Sequence, residues 1–153
     1  MTAPRGGFEP ATGDGPAVPA TAERAKEVRT AFEGLLQIRR LVNGGVGEGV
    51  PAPWELRQLP RAVALALEAA GLPPSAVDEE GRPTRTGYRV SAGPEPAARR
   101  AEVAWLGPPG SGAAREEQDR LAACAAALEA LGWVCLLYRG PRRRRFLEVE
   151  PPR

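Results

Sequence analysis

Four consecutive arginines, Arg142, Arg143, Arg144 and Arg145, stand between two apolar runs, Trp133–Tyr138 and Phe146–Val149, and the arrangement reads as a β-hairpin with a positive tip. With Arg139 the tip holds five guanidinium groups in seven residues and no acid. Guanidinium pairs bidentately with phosphate, and a two-stranded ribbon fits the major groove of DNA, so this pattern points to the phosphate backbone of DNA or RNA. Arg99 and Arg100, in a loop between two earlier strand candidates, join the same basic surface if the sheet order brings the two loops to one end. The bland counterpart is a solvated turn whose arginines guard an exposed strand edge against aggregation. Arg39 and Arg40 close a helix, where cations suit the negative end of the dipole.

Other chemistry is thinly represented. The chain has no histidine, which removes the commonest general base and the usual zinc and iron ligand sets. Cys124 and Cys135 are the two cysteines, without C-x-x-C spacing, and read as small buried apolar residues in a reduced, cytoplasmic protein. Gly107-Pro108-Pro109-Gly110-Ser111-Gly112 has the outer glycine spacing of a phosphate-binding loop. Ala113 and Ala114 follow it, however, where that loop needs Lys and Ser or Thr, and two prolines remove N–H donors from the cradle. Glu116, Glu117 and Asp119 open a helix and complement its dipole. The reading is therefore non-enzymatic, with no catalytic residue, cofactor or metal site. Trp54, at the end of a Pro-flanked loop, is the tryptophan expected to meet a protein partner, against core closure as the default.

Composition adds bounds. The 153 residues suit one ordinary domain, and a net charge of +2 does not by itself demand a polyanion. Lys26 is the one lysine among 21 basic residues, which with abundant Ala, Gly and Pro looks like the product of a GC-rich genome and discounts any arginine run. Short Arg/Ala-rich chains of this style look like accessory proteins of GC-rich bacteria, their phages or mobile elements. No apolar h-region and no long apolar run are seen, so neither secretion nor membrane spanning is expected.

The elements that position these residues follow from periodicity. Residues 1–20, rich in Gly, Pro and Ala, read as a disordered tail. Residues 21–72 read as a helical pair: Thr21 caps a helix with Val28, Phe32, Leu35, Leu36 and Val42 on one face, and Arg61–Ala70 forms a second closed by Gly71. Residues 73–86 are polar and turn-rich, a linker or long loop. Residues 87–150 form an α+β module sharing a core with 21–72: strands at Tyr88–Ser91 and Glu102–Leu106, a helix over Ala113–Leu131, a central strand at Trp133–Tyr138 and an edge strand at Phe146–Glu150. The strand–helix–strand order predicts a right-handed crossover and a small three- or four-stranded mixed sheet, ββαββ or βαββ, backed by one helix.

Two functions follow as expectations. One is a nucleic-acid-binding or regulatory accessory protein using Arg139, Arg142, Arg143, Arg144 and Arg145 with Arg99 and Arg100. The alternative is a protein-interaction or assembly module, homodimeric or with another protein, that does not bind nucleic acid.

Overall fold

A computed structural model of the chain describes residues 8–95, 99–140 and 144–152. The described elements are α1 (Ala22–Asn43), a 3-10 segment (Gly44–Gly49), α2 (Pro53–Arg57), α3 (Leu59–Ala69), β1 (Ala76–Val77), β2 (Pro83–Arg85), β3 (Gly87–Ala92), β4 (Ala101–Leu106), α4 (Ala113–Glu129), β5 (Val134–Arg139) and β6 (Arg145–Glu150). The class is α+β, with helices first, then strands, one helix, and a closing hairpin. Among the described residues no helix is long and apolar enough to cross a membrane.

Thr21 caps α1 by accepting the Arg24 N–H on its hydroxyl at 3.0 Å, which satisfies one of the orphan donors of the first turn. The helix buries Val28, Leu35 and Arg39. In α3 every residue from Ala62 to Leu67 is buried, more than one stripe, because α1, α4 and the strands β3 and β4 enclose it. Leu121, Cys124 and Leu128 of α4 form the seam that faces the sheet.

That sheet has the order β3-β4-β6-β5, and every neighbouring pair is antiparallel. The expected mixed sheet with parallel neighbours is thus corrected: β4 and β5, each antiparallel to β6, do run in the same direction across the α4 crossover, but β6 lies between them. The chain passes through α4 from β4 to a position one strand away, and β6 then folds back into the gap, pairing with β4 on one side and β5 on the other. The expected roles of the last two strands are exchanged: β6 is internal and β5 lies at the edge. Alternation in β6 reflects a sheet covered on one face only, which an internal antiparallel strand shows as readily as an edge strand.

Register assigns the faces. Val90, Val103, Leu147 and Leu137 lie in one row beneath the helices, with Tyr88, Trp105, Val149 and Cys135 on the same side. Arg89, Ala104, Phe146, Glu148, Leu136 and Tyr138 lie on the open face.

Two further stretches differ from expectation. Residues 73–86 contain the β1–β2 ladder rather than a plain linker. Within the expected tail, residues 8–18 lie against the fold: Thr12 O accepts the Val90 N–H, Gly13 O accepts the Ser75 hydroxyl, and Ala11 O accepts the Tyr88 hydroxyl. Gly13 has φ 87°, and a Cβ there would sit 2.1 Å from Tyr88 O, so only glycine allows this approach. Arg24 clamps the segment, binding Glu68 at 2.8 Å while Glu68 also accepts the Ala11 N–H. Residues 1–7 lie outside the described residues.

The deepest polar contact joins Arg39 of α1 to Glu55 of α2, both fully buried, in a bidentate pair at 2.8 and 2.7 Å. Arg39 also donates to Glu48 O and Leu131 O, and Glu55 accepts the Ala52 N–H. One guanidinium thus ties α1, the 3-10 segment, α2 and the exit of α4. Because a buried charge that loses its partner is strongly penalised, Glu55→Ala is expected to cost about 3–5 kcal/mol, whereas the double replacement Arg39→Met with Glu55→Leu recovers most of the loss. Urea denaturation of the three proteins checks this; equal stability of Glu55→Ala and the parent contradicts it.

Candidate functional site

The basic hairpin tip is only partly free. Arg144 reaches back to α4, with Nε 3.1 Å from a Glu117 carboxylate oxygen and Nη2 3.1 Å from Trp105 O. The Arg145 main-chain N–H donates to the same carboxylate at 2.7 Å, and its guanidinium lies 3.7 Å away. Glu117 is 2% exposed. Its burial against these donors makes it the anchor that holds the start of β6 to α4, a role that its position near a helix start concealed. Arg142 and Arg143 lie outside the described residues. Arg139 is exposed and has no charged partner among the described residues.

Arg99 and Arg100 do not join this surface. The loop between β3 and β4 lies where β4 begins, and Ala101 pairs with Val149 near the end of β6; the arginine tip lies where β6 begins. The two loops are therefore at opposite ends of the sheet. Arg100 is occupied there, 3.5 Å from Glu148 and 3.3 Å from Glu150. Arg39 is buried, and Arg40 pairs with Glu48 at 2.6 Å. Trp54, expected near a partner, is 2% exposed and belongs to the core.

The loop from Gly107 to Gly112 is a compact turn, with Ser111 N–H bonded to Pro108 O and the Ser111 hydroxyl accepting the Ala113 N–H. A groove of about 610 Å³ runs beside α1 and α3, bordered by Phe8, Lys26, Trp54 and Arg61. Glu23, Glu27 and Lys26 mix charge signs along its lining. No cluster of three metal-ligating side chains occurs among the described residues. Burial pushes the Cys124 and Cys135 thiols up to about 12, so neither resembles an activated nucleophile.

The exposed apolar surface lies elsewhere, along β5. Val134, Leu136, Leu137 and Tyr138 are 37–47% exposed, and Leu137 projects from the face opposite to the other three. Tyr138 stacks on Phe146 of the neighbouring strand at 5.7 Å, which extends the patch over the open face. The apolar run was legible in the sequence. A run apolar on both faces ordinarily marks a buried strand, and its placement at the sheet edge here is a departure from that rule.

The main chain of β5 is equally notable. Gly140 N–H donates to Arg144 O at 2.6 Å, so by alternation Tyr138, Leu136 and Val134 turn their N–H and C=O groups toward β6. Cys135, Leu137 and Arg139 turn theirs outward. The opposite edge of the sheet is closed by the chain itself: β3 donates to Thr12 O and Pro73 O and accepts the Ser75 N–H. Among the described residues no segment pairs with the outer edge of β5.

These features define an α+β protein with an open antiparallel sheet, one edge closed by its own chain and the other unpaired among the described residues. Compared with family models, with curated proteins and with solved structures, the chain matches none.

Glu117→Ala strands the partly buried Arg145 N–H and is expected to cost about 1–3 kcal/mol. Arg145→Ala retains that main-chain bond and removes only a half-exposed ion pair, for about 0–1 kcal/mol. Urea denaturation of both variants orders them, and a larger loss for Arg145→Ala would overturn the anchoring role.

Proposed function

We propose that the protein is a non-enzymatic interaction module that captures an extended strand on the outer edge of β5. The observation that carries this reading is the asymmetry between the two sheet edges. One is closed by residues 12–13 and 73–75, while the other combines outward main-chain groups with Val134, Leu136, Leu137 and Tyr138 in solvent. Natural edges are blunted by charge, proline, bulges or a covering segment. Of these devices β5 carries only Arg139, at its end. Strand addition supplies the missing hydrogen bonds, and the side chains on the two faces of β5 supply apolar area and selectivity.

Polyanion capture has weaker support. It needs contiguous uncompensated charge. Arg100, Arg144 and Arg145 face acids, and Arg99 and Arg100 lie at the far end of the sheet from Arg139.

Proline at an outward edge position removes a donor without breaking a bond to β6, so Leu137→Pro tests the reading at little cost to the fold. The probe is a fluorescent, end-blocked peptide of alternating valine and threonine, offered to dilute protein. The parent is expected to bind it and Leu137→Pro to bind roughly tenfold more weakly, the equivalent of about one lost hydrogen bond. Equal binding by both proteins, or no peptide binding together with salt-sensitive retention of a DNA duplex, would overturn it.

A further inference from the structure

The bare edge is built to fit itself. Resting on the strand-capture reading, we infer that the occupant of the β5 edge is β5 of a second copy, running antiparallel, with Leu137 opposite the partner's Leu137 across a two-fold axis. An isologous contact of this kind requires one patch to be complementary to its own rotated image.

Geometry restricts the register. Outward-turned residues must face outward-turned residues for the hydrogen bonds to close, and these are Cys135, Leu137 and Arg139. Centring the axis on Leu137 sets Cys135 opposite the partner's Arg139, and Leu136 opposite the partner's Tyr138. The open face then carries an unbroken apolar row across the seam, from Phe146 and Tyr138 to the partner's Leu136, repeated in reverse by symmetry. On the helix-covered face, two leucines meet at the axis.

Charge selects this register over its neighbours. Glu129 is exposed near the end of α4, the helix that packs on β5, and after burial its field is the next cause that raises the Cys135 thiol pKa. No ion pair involves Glu129 or Arg139 among the described residues. With Leu137 on the axis, Arg139 of each copy arrives opposite Cys135 of the other, beside Glu129, and the symmetry makes the pair twice. Centring on Leu136 instead would carry Arg139 to Trp133, before the strand begins. The apolar middle and its charged flanks are thus self-complementary in one antiparallel setting.

The test combines mass and covalent trapping on the full chain. Sedimentation across a concentration series is expected to show twice the 16.2 kDa chain mass. Arg139→Glu alone and Glu129→Arg alone are each expected to weaken the dimer by about tenfold, and the two together to restore it, the signature of a direct pair. Independently, Leu137→Cys on a Cys135→Ser background is expected to form a disulfide-linked dimer on mild oxidation. Directly opposed hydrogen-bonded residues have Cα atoms about 5.5 Å apart, within disulfide reach. A chain that stays monomeric at every concentration overturns the inference, and so does a dimer indifferent to the charge exchange and to Leu137→Cys. If such a monomer still binds the valine–threonine peptide through Leu137, strand capture stands and only the second copy falls. If it binds neither, both fall.

Discussion

The Arg39 guanidinium is the constraint on which the rest of the architecture depends. It is fully buried, so its cost must be offset where it sits, and five contacts do this: two with Glu55, one each with Glu48 O and Leu131 O, and the Trp133 ring at 6.0 Å. Breaking any one leaves charge in a medium of low polarisability. The set therefore fixes the distance between α1, α2 and the point where the chain leaves α4. Gly132 completes the junction with φ 88°, where a Cβ would lie 2.1 Å from Gly49 O. β5 begins directly after this junction, so its position at the margin of the sheet follows from contacts made deep in the helical layer.

Once β5 is placed there, the fold contains two unequal edges. The chain closes β3 with main-chain groups from residues that bring little side-chain mass, Thr12, Pro73 and Ser75. It does nothing comparable at β5 among the described residues. Glu117 draws Arg144 and Arg145 inward and so sets the register of β6 against β4 and β5. The same carboxylate that organises the hairpin also offsets the charge that made its tip conspicuous. Structure and electrostatics thus shift attention from the arginines to the strand that precedes them.

Local features were readable from the sequence because they depend on local periods. Thr21 as a cap, the seam of Leu121, Cys124 and Leu128, and the alternation of Leu147 and Val149 all appear where expected. Strand order was not, since the choice of β6 between β4 and β5 is made by pairing across some forty residues and leaves no local mark. The apolar run of β5 was visible, yet a strand awaiting a partner and a strand already buried have the same composition. Arg39 falls four residues after Leu35 on the apolar face of α1, a spacing that signals burial, but its nearness to the helix end offered a dipole explanation first. Residues 8–18 looked incapable of order because composition registers side chains, whereas their main-chain groups and Ala11 supply most of their attachment.

The account turns on whether the outward N–H of Leu137 meets water or another strand. Amide hydrogen exchange at Leu137, followed as the protein is concentrated, measures this directly. The account predicts that exchange slows as concentration rises, while the amides of the Gly110 turn keep their rate. A Leu137 amide that exchanges as fast as the Gly110 turn at every concentration would contradict it.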